Sequence, residues 1–186
     1  MLAALNQHVG WLAEPAARVT ANEAVPQQRA AFAFIATGTG QERRYLLQWN
    51  AKWEMFNLIG GKVENGKGDE DSFTRAIRRE LEEEMGLKGP DECYIVRELQ
   101  QIQVRQFSYR ERILKEYHFR LFEVEIFPTL PPMNGARPNY AARWLSTGRE
   151  NIFVAAAEVE KLRTQSGRSI SPTTRYILQE LGELSP

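Results

Sequence analysis

Four of the five positions 80–84 are glutamate, Glu80, Glu82, Glu83 and Glu84, with Leu81 between the first two. Carboxylates packed this densely can do chemistry only if they share a face. Phe73, Ile77, Leu81 and Met85 recur every four residues with Ala76 beside them, which predicts an amphipathic helix. At about 100° per residue, with Phe73 at zero, the apolar face runs from about −60° to 120°. Glu84 falls at about 20° and Glu80 at about −20°, both inside it, and Glu83 at about −80°, on its edge. Glu82 points the opposite way, at about 180°, as a solvated charge does. Two carboxylates one turn apart on a core-facing side repel one another and lose water, so positive charge must be supplied opposite them. Two arrangements supply it. Glu80, Glu83 and Glu84, spaced i, i+3, i+4, can converge on one hard divalent cation. Alternatively, arginines pair with the carboxylates in a structural cluster.

The helix has legible ends. Asp69, Glu70 and Asp71 precede it, where acidic side chains favour the positive end of the helix dipole. Gly86 follows the last apolar residue and can close the helix in a left-handed conformation, and Gly89-Pro90 stops anything further. Ahead of it lies a loop with Gly60, Gly61, Gly66 and Gly68. The glycines of the first pair let backbone approach a ligand closely.

The run from Arg79 to Leu87, RELEEEMGL, resembles the REUxEExGU half of the Nudix box, where U is aliphatic, at every fixed position. Gly60, Gly61, Lys62, Val63 and Glu64 resemble the loop that opens the same box. The resemblance implies an α/β fold, a Nudix-type α/β/α sandwich with a mixed β-sheet. It implies a hydrolase that splits the diphosphate linkage of a nucleoside diphosphate joined to another moiety, a nucleotide or nucleotide-sugar substrate. It further implies Mg²⁺ or Mn²⁺ held by Glu80, Glu83 and Glu84, Arg79 pairing with one carboxylate to orient the row, and Gly60 and Gly61 approaching the cation. The sequence also departs from the family. Counting back from Arg79 puts Asp71 where the family has its first Glu, and counting forward from Gly61 puts Lys67 there. The loop therefore carries about four extra residues near 65–68, which read as a bulge before the helix. Ile59 precedes the double glycine where proline is frequent. Tyr140, Ala141, Ala142 and Arg143 occupy the places before Trp144 where many members have a Glu, leaving Glu116 and Glu150 as substitutes for a general base. Gln103, Val104 and Arg105 match neither the ADP-ribose nor the dinucleoside-polyphosphate pattern. These departures keep a second expectation open, a non-catalytic nucleotide-binding or regulatory Nudix domain.

Composition bounds the remainder. The 186 residues suit residues 29–186 as one domain preceded by an extension and linker over 1–28. Lys+Arg and Asp+Glu number 24 each, so there is no electrostatic case for bulk nucleic-acid or membrane-surface binding. The single cysteine, Cys93, excludes an intrachain disulfide and fits a reducing, cytoplasmic setting. Residues 1–12 lack a basic leader and read as a short helix, in which His8 is ordinary surface. No segment has the apolar length to span a bilayer. A homodimer stays open.

Residues 29–37 and 44–49 read as strands, and 93–127 as two long strands joined near 108–112. In the second of these, Tyr117, Phe119 and Leu121 occupy odd positions, while Phe122, Val124 and Ile126 occupy even ones. One strand face cannot hold both sets, so either a bulge near Leu121 and Phe122 or burial of both faces is required. Trp49, Trp53 and Phe56 either cap the core or stack on a base. The stretch 128–138 is a proline-rich loop, and 143–145 resembles the family's tryptophan strand. Residues 152–162 read as a helix, 163–169 as a turn, and Ser171-Pro172 as the start of a final helix.

Overall fold

The computed structural model describes residues 25–87, 89, 92–108, 111–126 and 149–185. The expectations for 1–12, His8, the proline-rich 128–138 and the tryptophan strand at 143–145 lie outside these residues. The chain assembles around strand β1 (Gln27–Phe34), which is apolar on both faces. Ala30 and Phe34 enter one core cluster, while Ala31 and Ala33 enter the other, following the alternation of an extended chain. Its neighbours are β5 (Ile59–Lys62), antiparallel, and β7 (Ile113–Ile126), parallel. β6 (Cys93–Ser108) pairs antiparallel with β7, giving a mixed sheet of order β5-β1-β7-β6. A second, antiparallel sheet is built on β3 (Arg44–Asn50), which pairs with β2 (Ala36–Thr37), β4 (Met55–Asn57) and β8 (Asn151–Ala155).

Helix α1 (Phe73–Met85) packs on β1 and β5. Phe73, Ala76, Ile77, Leu81 and Met85 form one core cluster with Ala31, Ala33, Ile59, Phe122 and Val124. The other cluster is closed by Val159 of α2 (Ala156–Glu160) and by Ile177 and Leu178 of α3 (Pro172–Glu180). The α/β fold with a mixed sheet is thus as expected, helices covering both sides, although the strands divide between two sheets.

Both-face burial resolves the parity break in β7. Phe119 and Leu121 enter one cluster and Phe122 and Val124 the other. The pairing of β7 with β1 runs without interruption from Gln27↔Glu116 to Phe34↔Glu123. The irregularities lie in its partner β6, between Ile95 and Arg97 and between Glu98 and Gln100, opposite that same stretch.

The ends of α1 are partly as read. Ser72 is the N-cap, its Oγ accepting from the Arg75 N–H at 3.3 Å. Gly86 ends the helix in the left-handed region, φ 69°, and the Leu87 N–H donates to the Leu81 carbonyl. The acids before the helix do not serve its dipole: its first turn contains none of them. Residues 152–162 are not one helix. Ile152, Phe153 and Val154, strand formers in a row, pair along β3, and helical structure is confined to α2. Residues 163–169 do form a turn, bridged from Arg163 to Ser169, and Ser171 caps α3 with Pro172 first inside it. Among the described residues no helix is long and apolar enough to cross a membrane.

Candidate active site

Arg79 is the centre of the site. Its Nε and Nη2 donate to the two carboxylate oxygens of Asp69 at 3.1 and 2.9 Å, the two-pronged geometry in which guanidinium and carboxylate pair best. Nη1 donates to Glu80 Oε1 at 2.7 Å and Glu83 Oε2 at 3.2 Å, and Nη2 also reaches the Lys62 carbonyl at 2.9 Å. One side chain on α1 thereby ties together the helix, the glycine loop and β5. The expected pairing of Arg79 with the glutamate row is present. Its partner in the loop differs from the one that counting selects. Asp71 turns outward to Arg29, whereas Asp69 is 1% exposed and accepts both Arg79 and the Glu64 N–H, at 2.7 Å. The extra residues make this possible. A 3-10 turn over Asn65–Lys67 ends in a left-handed Gly68, and Glu70 and Asp71 have φ of 45° and 61°. The chain therefore doubles back, and the acid two places earlier meets the guanidinium. Arg79 holds the Asp69 carboxyl below the usual carboxylate range.

Glu80 and Glu84 stand where the helix wheel puts them, against β5. A Cβ added to Gly61 would lie 2.2 Å from Glu80 Oε1, so glycine here leaves that carboxylate in the place where Arg79 holds it. Gly60 has φ 141°, and a Cβ there would meet the Ala31 carbonyl oxygen at 2.1 Å, because β5 lies hard against β1. The Gly60 N–H donates to Glu84 Oε2 at 3.1 Å. Arg149 Nη1 donates to the other oxygen, Oε1, at 2.6 Å and to Gln48 Oε1 at 3.1 Å. Gln48, 5% exposed, is fixed in turn by donating to the Glu84 carbonyl and to Asn151 Oδ1. Burial raises the carboxyl pKa of Glu80, and pushes that of Glu84 up to about 7, with the negative charge of Glu80 adding to it. Glu83 is more exposed and shares its charge between Arg79 and Lys67, whose Nζ lies 3.8 Å away.

Guanidinium groups therefore supply part of the positive charge that the row demands, as one of the two arrangements foresees. Among the described residues no three acidic, histidine or cysteine side chains are gathered as a ready metal shell. The balance is nonetheless incomplete. These contacts join five carboxyl groups, Glu64, Asp69, Glu80, Glu83 and Glu84, to three cations, Lys67, Arg79 and Arg149, so among the described residues the acids outnumber the cations by two. An all-oxygen donor set in which acids outnumber cations, beside a glycine that opens the space at Glu80, fits a hard divalent cation.

The residues offered as substitute bases are occupied. Glu150 pairs with Arg168, which stacks on Trp49 with its guanidinium carbon 3.8 Å from the ring centroid. Glu116 accepts from Arg105, His118 and Gln103, which together bring its pKa down to about 2. Phe56 is wholly buried and Trp49 packs on it edge-on, so these two are core, whereas Trp53 is exposed. Asp69, Gln48 and Arg149 carried no sequence signal strong enough to find them: Asp69 is masked by the loop's ambiguous register, and Arg149 is brought in only by the β3–β8 pairing.

The NUDIX domain family model matches residues 26–163. The chain belongs to the Nudix family. The match takes in β1, the glycine loop, the whole of α1 and β8. A search of curated proteins gives no match. Among solved structures, this Nudix chain resembles Shewanella oneidensis NrtR complexed with a 27mer DNA, with TM-score 0.52 and 13% identity over 83% of this chain and 60% of that one. It resembles the NUDIX domain of the same NrtR complexed with ADP ribose, with TM-score 0.51 and 13% identity over 89% and 93%. A UDP-X diphosphatase is similar at TM-score 0.50 and 19% identity, over 97% of this chain and 71% of that one. The chain spans about three-fifths of the full NrtR structure, 60%. At these identities the likeness is one of fold.

Two outcomes are expected. Asp69→Asn leaves Arg79 without its buried partner and costs about 3 kcal/mol in urea unfolding, whereas Asp71→Asn, at an exposed pair, costs under about 1 kcal/mol. Equal losses would assign the pairing wrongly. The second concerns pH. Folded, Glu84 keeps its proton up to about pH 7; the ordinary carboxyl value is 4.5. The folded chain thus binds the extra proton, and in cation-free buffer stability falls as pH rises from about 4.5 to about 7. Glu84→Gln removes most of that slope, which thermal melts across the interval measure.

Proposed function

We propose that this chain hydrolyses the diphosphate linkage of a nucleoside diphosphate joined to another moiety, a second nucleotide or a sugar, using Mg²⁺ or Mn²⁺. The supporting observation is the excess of acids over cations, among the described residues, where α1 and the glycine loop meet beside Gly60 and Gly61. Glu80, Glu83 and Glu84 would hold the cation, with the Gly61 carbonyl joining them. When bound, the cation neutralises charge developing on the phosphoryl oxygens and acidifies water. The chain's own residues do the rest. Asp69 locks the Arg79 guanidinium, Arg79 fixes Glu80 and Glu83, and the Gly60 N–H fixes Glu84, so the row is organised before substrate arrives. Water attacks one phosphorus, the bond from that phosphorus to the bridging oxygen breaks, and Glu80 or Glu84 takes the water's proton. The products are a nucleoside monophosphate and the phosphate of the second moiety, one of them carrying the oxygen taken from water. A cytoplasmic setting suits a substrate of this kind.

A second reading, nucleotide binding without cleavage, draws on one observation: Arg149 already occupies Glu84, and both Glu116 and Glu150 are engaged elsewhere. Calorimetry with product analysis separates the two, since binding without product in excess Mg²⁺ belongs to the second alone.

A panel of nucleoside diphosphate-linked compounds assayed with Mg²⁺, products identified by mass spectrometry, tests the first reading. Glu83→Gln and Glu84→Gln should each lower kcat/KM by about a hundredfold or more, and a chelator should abolish turnover. Unchanged turnover in both variants would remove these roles.

A further inference from the structure

Among the described residues two arginines reach the carboxylate row, and they are held in different ways. Arg79 engages Nε, Nη1 and Nη2 and has a side chain 13% exposed. Arg149 has a side chain 45% exposed, and among the described residues only its Nη1 is engaged, by Glu84 and Gln48. The first is fixed in place. The second is attached at one nitrogen and offers the rest of its donors outward.

We propose that Arg149 exchanges partners, pairing with Glu84 while no cation is bound and turning to the substrate's diphosphate once a divalent cation holds Glu84. This deepens the hydrolase reading and rests on it. Four features of the site lead there. A dication and a guanidinium compete for the same oxygen, Glu84 Oε1, because like charges brought to one acceptor repel. The guanidinium has somewhere to stay near the cation, since Gln48 Oε1 still holds it at 3.1 Å and Gln48 is itself tied to Asn151 and the Glu84 backbone. The exchange does not strand the buried carboxylate, because Glu84, 14% exposed, gains the dication as it gives up the guanidinium. The chemistry of the fork also suits the new partner: a planar guanidinium matches two oxygens of a phosphate, and is more weakly hydrated than an ammonium. Arg149 thus reads the charge state of the site, screening Glu84 when the cation is absent and drawing the anionic substrate toward it when the cation is present.

The exchange has a signature that a merely structural role lacks, because one substitution moves two affinities in opposite directions. Wild type, Arg149→Gln and Arg149→Lys are compared in two titrations: Mn²⁺ alone, followed by electron paramagnetic resonance of the unbound ion, and α,β-methylene-ADP at saturating Mg²⁺, followed by calorimetry. Arg149→Gln should bind Mn²⁺ about threefold to fivefold more tightly than wild type and the nucleotide about tenfold more weakly. Arg149→Lys should fall between, keeping the charge but losing the fork. Weaker binding of both probes by Arg149→Gln, or an unaltered affinity for either, in a wild type that binds both, overturns the exchange and leaves the hydrolase reading standing. A wild type that binds neither Mn²⁺ nor the nucleotide overturns both.

Discussion

Negative charge is buried on the helix that closes the sheet, and most of the site follows from how that charge is tolerated. Glu80 and Glu84 project from the apolar side of α1 into a wall made by β5 and β1. Burial lifts the pKa of both, the charge of Glu83 raises Glu80 further, and that of Glu80 raises Glu84. A carboxylate in such a place survives only with positive charge or N–H donors aimed at it. The molecule provides both, from elements far apart in sequence: Arg79 from the helix itself, the Gly60 N–H from β5, and Arg149 from just before β8.

The same requirement explains parts of the chain that look unrelated to chemistry. Gly61 leaves the Glu80 carboxylate in the place where Arg79 holds it, and Gly60 is needed because β5 runs hard against β1. The 3-10 turn and the left-handed residues of the glycine loop bring Asp69, rather than a later acid, beneath Arg79. Even the second sheet contributes. Gln48 on β3 and Asn151 on β8 face one another in register, and together they hold the support on which Arg149 rests. Among the described residues two guanidiniums and one lysine serve five acids, and that excess of acid is what a dication would match.

Local patterns in the sequence carried α1, its closing Gly86, and the orientation of Glu80 and Glu84, because a helix writes its faces into the spacing of a dozen residues. They also carried the contradiction in β7: the odd and even apolar sets are each buried, and an irregularity in pairing does fall at Leu121 and Phe122, with the extra residue in β6. What could not be read is whatever depends on distant pairing. Asp71 occupies the counted position, but backbone with positive φ at Glu70 and Asp71 turns the loop and hands the role to Asp69. The strand Asn151–Ala155 passes for helix because α2 follows without a break, and only the register against β3, a hundred residues earlier, reveals it. Arg149 has no neighbouring motif at all; its place is set by that same register.

The most direct measurement is diffraction at the manganese absorption edge from crystals soaked in Mn²⁺ at neutral pH. The deficit of positive charge predicts an anomalous peak within bonding distance of Glu80 and Glu84 and next to the Gly61 carbonyl, with the Asp69–Arg79 pair unmoved. Crystals showing no peak there, with both carboxylates still held by arginine alone, would mean that protein charge already satisfies the row and would contradict the account.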